Sequence, residues 1–152
     1  MKISIDEIRL IGLSLKHKTT NNNGQSKLDC AALWHQFNSA QLAATIPDKI
    51  SGEILGVYYG YSGDETQSFR YFVGCKVQSY AANCLALQTL TIPAGDYQKI
   101  VASGKLPESV SNAWENIWQS DLQRSFQVDF EVYDERCKDG NNAEVDIYVS
   151  LT

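Results

Sequence analysis

Apolar and polar positions alternate along residues 7–17, EIRLIGLSLKH, where Ile8 and Leu10 stand against Arg9, and this two-residue period predicts a strand with one half-buried face. The polar run TTNNNGQS that follows predicts a loop. From Ser26 the period changes. Leu28, Ala32, Leu33, Trp34, Phe37 and Leu42 recur at helical spacing, Ser26 stands three residues before Asp29 as in a capping box, and a helix ending before Pro47 is predicted. EILGVYYGY and SFRYFVGCKV, rich in β-branched and aromatic residues, then predict two strands joined around Ser62-Gly63-Asp64.

The second half repeats this order. LALQTLTIPAGDYQKIVAS predicts a long strand region broken at Pro93-Ala94-Gly95, Pro107 suits a first helical turn, and Val110, Ala113, Trp114, Ile117, Trp118 and Leu122 form a helical stripe. SFQVDFEVYDE and AEVDIYVSL predict two strands around the turn at residues 138–142. The expected architecture is a single α+β domain of tandem strand-helix-strand-strand units, about 1–79 and 80–152, with one antiparallel sheet and two main helices. Like units related by a pseudo-two-fold leave a cleft where they meet, a common place for a ligand.

Length and composition support a folded core: 152 residues, 43% hydrophobic and 20% charged, fit one domain. A net charge of −5 with scattered Lys and Arg argues against direct nucleic-acid binding as the main role. The opening MKISIDEIRL is interrupted by Asp6, Glu7 and Arg9, so neither a secretion signal nor a membrane span is expected, and the location follows as cytoplasmic. Cys30, Cys75, Cys84 and Cys137 form no C-x-x-C pair and are expected as buried free thiols, with no metal and no cofactor. No catalytic residue is assigned. G-x-S-x-G, a phosphate-cradling glycine loop and H-E-x-x-H are all missing from the sequence. His17 and His35 suit surface or packing roles, and the five-residue spacing of Cys30 and His35 puts them on different helix faces.

Candidate chemistry comes from aromatic residues and acids on the strands. Alternation places Val57, Tyr59 and Tyr61 on one face of their strand and Gly56, Tyr58 and Gly60 on the other, so the glycines leave room beside Tyr58. On the next strand Tyr71 and Val73 oppose Phe72 and Gly74. Two acid-x-Tyr pairs, Glu131 with Tyr133 and Asp146 with Tyr148, fall on adjacent predicted strands. A carboxylate beside several ring faces suits a lipophilic cation, each well-placed ring adding about 0.5 to 2 kcal/mol. The same acid-x-Tyr pattern also fits a solvated sheet face, and Trp34, Phe37, Trp114 and Trp118 also fit helix stripes that cover a core.

The succession L-W-H-Q-F, G-V-Y-Y-G-Y, F-R-Y-F-V-G-C-K-V, L-T-I-P-A-G-D-Y, A-W-E-N-I-W and V-D-I-Y-V resembles the GyrI-like, or AraC-type effector-binding, domain over nearly the whole chain. More narrowly it resembles the stand-alone members carried by integron cassettes. The resemblance implies a cleft for lipophilic, often cationic, aromatic compounds. It implies ring faces from Trp34, Tyr58, Tyr59, Phe72, Trp114 and Tyr148, with Phe37 a further candidate, and acidic anchors in Glu131 and Asp146. Many relatives carry Glu where this chain has Asp146, a side chain shorter by one methylene. A separate DNA-binding protein is one implied partner, and a DNA topoisomerase, inhibited by docking, is another. Some members of the family are hydrolases, which keeps small-molecule cleavage as a third reading.

Overall fold

A computed structural model describes residues 1–80 and 87–152. The chain runs β1 (Lys2–Ile5), β2 (Ile8–Ser14), α1 (Gln25–Ser39), α2 (Leu42–Thr45), β3 (Lys49–Tyr59), β4 (Arg70–Val77), β5 (Gln88–Ile92), β6 (Gly95–Gly104), α3 (Glu108–Trp118), β7 (Val128–Tyr133) and β8 (Ala143–Ser150). The strands form one antiparallel sheet ordered β1-β6-β8-β7-β3-β4-β2-β5. Exchanging each strand for its counterpart in the other half reverses this order onto itself, so a pseudo-two-fold passes between β3 and β7. The tandem α+β plan is therefore present.

Each half carries one strand more than the periodicity announces. β1 is four residues long and mostly exposed, and its alternation of Ile3 and Ile5 with Lys2 and Ser4 is too brief to stand out beside the charged positions that follow. It pairs with β6 of the second half, while β5 pairs with β2 of the first. Each half thus lends its first strand to the edge of the other. The long strand region expected from Leu85 is two strands, β5 and β6; Cys84, Leu85 and Ala86 lie outside the described residues.

Both faces of the sheet are covered. On the helix side α1 packs Leu33 and Phe37 against Ile11, Tyr71 and Val73, and α3 packs Val110, Trp114 and Ile117 against Val145, Ile147 and Val149. On the other side Leu10, Leu55, Val57, Phe72, Ile92, Tyr97, Phe130 and Val132, drawn from both halves, form one continuous core. Burying each large apolar side chain contributes about 1.5–3 kcal/mol, and this shared core joins the halves.

The helices depart from expectation in detail. α1 stops at Ser39 because Gln41 takes a left-handed conformation (φ 51°), and the single turn α2 follows before Pro47. Asp29 closes no capping box; it accepts hydrogen bonds from Thr19 Oγ1 and Gln25 Nε2 instead. Leu28 is 68% exposed, so it is not part of the buried stripe. α3 ends at Trp118, which leaves Leu122 in the following connection. Among the described residues no helix is long and apolar enough to cross a membrane.

Candidate functional site

The site begins with register. Across β4-β3-β7, Tyr71 faces Tyr58, Tyr58 faces Asp129, and Gly56 faces Glu131. All of these point to the helix side, because partners directly opposed in an antiparallel ladder share a face. Gly56 is required there by close approach. A Cβ on it would stand 2.2 Å from the Tyr71 hydroxyl and 3.3 Å from Glu131 Oε1, so only glycine lets the Tyr71 ring reach across β3 toward the acid.

Glu131 is 1% exposed and sits among neutral donors. Its Oε2 accepts from the Tyr58 hydroxyl at 2.8 Å and from Trp114 Nε1 at 2.6 Å, and its Oε1 accepts from the Tyr133 hydroxyl at 2.8 Å. Trp34 Nε1 donates to the Tyr71 hydroxyl at 2.8 Å, tying α1 to the same group. The rings touch edge to face: Tyr58 lies 5.1 Å from Trp114, and Trp34 lies 4.9 Å from Tyr133. α3 therefore brings a tryptophan to the carboxylate itself, and α1 brings one to the tyrosines around it.

Between the two helices lies a cleft of two adjoining chambers. The larger, about 430 Å³, is lined by Trp34, Tyr58, Tyr71, Pro107, Glu131 and Tyr133. The smaller, about 280 Å³, is lined by Tyr61, Glu65, Phe69, Trp114, Trp118 and Arg124. Lys27, Cys30, Tyr58, Val110 and Ser111 border both. Burial raises the Glu131 carboxyl, and the hydrogen bonds from Trp114, Tyr133 and Tyr58 act against that shift. The hydroxyls of Tyr58, Tyr71 and Tyr133 are pushed well up, first by burial and then by Glu131, so they stay protonated donors. The Cys30 thiol is pushed up by the same two causes, which leaves it a poor nucleophile.

Gly60 explains the dense aromatic run VYYGY. Its positive φ of 62° ends β3 and turns the chain, so Tyr61 leaves the face of Tyr59 where strict alternation puts it. Tyr61 instead lines the smaller chamber, donates to Asp129 Oδ2 at 2.6 Å and packs on Phe69 and Phe126. Asp129, fully buried, also accepts from Arg124 Nη2 and from the Ser150 backbone N–H, both at 2.8 Å.

Of the residues singled out in the sequence, the structure brings Trp34, Tyr58, Trp114 and Glu131 together. It does not bring the other five to the cleft. Phe37 is fully buried under α1 in the core of the first half. Tyr59 and Phe72 face the helix-free side, where Tyr59 shares a 2.6 Å hydrogen bond with Ser14 and Phe72 is core. Tyr148 stacks on Phe130 at 4.7 Å on that same side. Asp146 lies opposite Val132, hence also away from the cleft, and is paired with Arg136 at 2.8 Å and Lys99 at 3.8 Å. It is the acid of an ion-pair group, not an anchor beside the rings. The sequence places Tyr71, Tyr133 and Tyr61 on strand faces without assigning them to the site, and nothing in it marks Arg124. Parity with Tyr58 marks Tyr71 only once the β3-β4 register is known, and parity with Glu131 marks Tyr133 directly.

Comparison with known proteins gives a consistent picture. The model of a family described as Cass2, integron-associated effector binding protein, matches residues 3–151. The regulator-like YobU protein of Bacillus subtilis (strain 168) is 32% identical over 123 residues, covering 78% of this chain and 74% of that protein. An integron cassette protein from the mobile metagenome of Vibrio cholerae superposes with a TM-score of 0.74 at 22% identity, over 100% of this chain and 95% of that one. The structure of SAV2435 bound to tetraphenylphosphonium superposes with a TM-score of 0.78 at 15% identity, over 100% of this chain and 93% of that one. At such identities the two structures show a shared fold.

Proposed function

Because the chain belongs to the family of integron-associated effector binding proteins, we propose that it binds lipophilic aromatic cations between α1 and α3, with Glu131 as counter-charge and Trp34, Tyr58, Trp114 and Tyr133 as ring faces. The observation that carries this reading is the setting of Glu131. A carboxylate taken out of water costs several kcal/mol unless it is compensated. Among the described residues its hydrogen-bond partners are all neutral, so the charge stays available to a guest while its lone pairs are held by donors. The cleft beside it is walled by rings whose faces attract cations. The tetraphenylphosphonium carried by a protein of the same fold is a guest of this chemical class and supports the reading.

Turnover is not part of the proposal. Both Glu131 oxygens are engaged, and burial keeps the neighbouring Cys30 thiol protonated. The test is a titration with tetraphenylphosphonium and with neutral triphenylphosphine, which carries no oxygen acceptor, followed by tryptophan fluorescence and calorimetry. Saturable binding of the cation is expected, with the neutral compound at least about tenfold weaker, the order of one charge-assisted contact. Glu131→Gln is expected to remove most of that difference by weakening the cation alone. Equal affinity for the two compounds, or no saturable binding of the cation, would overturn the reading.

A further inference from the structure

The smaller chamber contains a feature that cation binding does not use: a buried arginine. Arg124 lies between α3 and β7 with its side chain 5% exposed. Nη2 donates to Asp129 Oδ2 at 2.8 Å, and the guanidinium carbon stands 4.2 Å from the centre of the Phe126 ring. Nη1 is 3.7 Å from Glu65 Oε2, an ion pair too long for a hydrogen bond. Nε and Nη1 are both withdrawn from solvent, and neither has a hydrogen-bond partner among the described residues. A guanidinium presents its N–H groups as a rigid fork, and leaving charged donors buried without acceptors is unfavourable. Nε and Nη1 lie just behind the wall of the chamber that Arg124 lines, and a small side-chain rotation would present this unsatisfied fork to an acceptor on a guest there.

Three observations specify that acceptor. The Trp114 indole links the two chambers, donating from Nε1 to Glu131 while its ring centre lies 5.8 Å from the Arg124 guanidinium carbon. Tyr58 borders both chambers, so a guest spanning them runs from Glu131 to the wall that carries Trp114 and Arg124. Asp129 and Glu65 already place two carboxylates on Arg124, so an added anion is repelled and a neutral oxygen is not. Tyr61, Phe69 and Trp118 line the remaining wall with aromatic surface, which suits an acceptor carried on a ring.

We propose that Arg124 is a second recognition point of the same cleft, selecting aromatic cations that carry a neutral oxygen acceptor, such as an ester, amide or ketone, about one indole width from the cationic centre. This rests on the cation reading above and specifies the guest further. It predicts a two-point site: charge at Glu131 and a hydrogen-bond acceptor at Arg124.

Three dyes with one xanthylium cation separate the two claims. Tetramethylrosamine has no acceptor on its pendant ring, tetramethylrhodamine methyl ester has a neutral one, and tetramethylrhodamine has a carboxylate. Fluorescence anisotropy against the wild-type protein is expected to rank the methyl ester roughly tenfold tighter than the rosamine, the lower end for one net hydrogen bond to a charged group. The carboxylate dye is expected to be weaker than the ester. Arg124→Lys keeps the charge beside Asp129 but removes the fork, and is expected to bring the ester and the rosamine to equal affinity. Glu65→Gln removes one competing carboxylate at a partly exposed position, and is expected to raise affinity for the carboxylate dye relative to the ester by about threefold, independently of whether the arginine variant folds.

If the rosamine binds and the ester binds no tighter, no guest oxygen reaches Arg124 and this inference falls while the cation reading stands. An ester preference that survives Arg124→Lys, or a carboxylate dye unaffected by Glu65→Gln, overturns it as well. Failure of all three dyes to bind removes the cation reading and this inference together.

Discussion

Glu131 is a side chain whose stability cost and proposed use have the same origin. Burial lifts its carboxyl above the ordinary value, and hydrogen bonds from Trp114, Tyr133 and Tyr58 only partly offset that. In acid below both values the group is protonated whether the chain is folded or not, so it adds no pH dependence. As pH rises past the ordinary carboxylate value, the unfolded chain releases its proton first, and the folded state loses stability until the raised value is passed. Urea unfolding of the wild type and Glu131→Gln between about pH 4 and about pH 8 should therefore show the wild type losing ground to the variant as pH climbs. A constant difference across that range would mean that the folded carboxyl titrates at its ordinary value. Cation affinity should move the opposite way, tightening as Glu131 ionises in the wild type and staying flat in the variant.

At the scale of elements, register decides which carboxylate meets the rings. Both β7 and β8 carry acid-x-Tyr, and within each strand the parity of acid and tyrosine was legible from the two-residue period. Which face receives the helices was not legible, because Val128, Phe130 and Val132 are buried on one side of β7 while Asp129 and Glu131 are buried on the other. The polar contrast of V-D-F-E-V misleads, because its acid face reads as solvated yet is buried under the helices, and Asp146 resembled Glu131 until the pairing with Val132 put it on the helix-free side. Tyr58 was recoverable because Gly56 and Gly60 flank it, whereas the reversal of Tyr61 depends on a backbone angle at Gly60 that periodicity does not encode. The roles of the acids in the elements differ accordingly. Asp129 ties β7 to the end of β8 and to Arg124 with no solvent exposure, so Asp129→Ala should cost about 3–5 kcal/mol in urea unfolding, the cost of stranding a buried charge partner. Asp146 pairs with Arg136 and Lys99, whose side chains are about one-third exposed, and Asp146→Ala should cost about 1 kcal/mol or less. Similar losses from the two variants would contradict the contrast drawn here.

At the scale of the molecule, the duplication was legible as a repeated order of strand and helix periods, but the way the halves interlock was not. β1 lies on β6 and β5 lies on β2, so each half is completed at its edge by the other. The helix-free core draws on both halves, with Leu55 and Phe72 from the first packed in one cluster with Tyr97 and Phe130 from the second. The cleft is divided in the same way: Trp34, Tyr58 and Tyr71 come from one half, Trp114, Glu131 and Tyr133 from the other. A half on its own would expose one face of its sheet and leave an edge unpaired, a burden that a chain of that length rarely carries alone. Separate polypeptides spanning residues 1–80 and 87–152 should consequently show no cooperative thermal transition when alone. Mixed in equal amounts, they should regain one transition whose midpoint rises with protein concentration, as for any folded state formed by association. Tetraphenylphosphonium should raise that midpoint further while leaving either fragment alone unchanged, because a complete set of rings around Glu131 exists only in the pair. A cooperative melt from residues 1–80 alone would show that the shared core is not what folds them, and the cleft would then be a junction of independent units, not the centre of one.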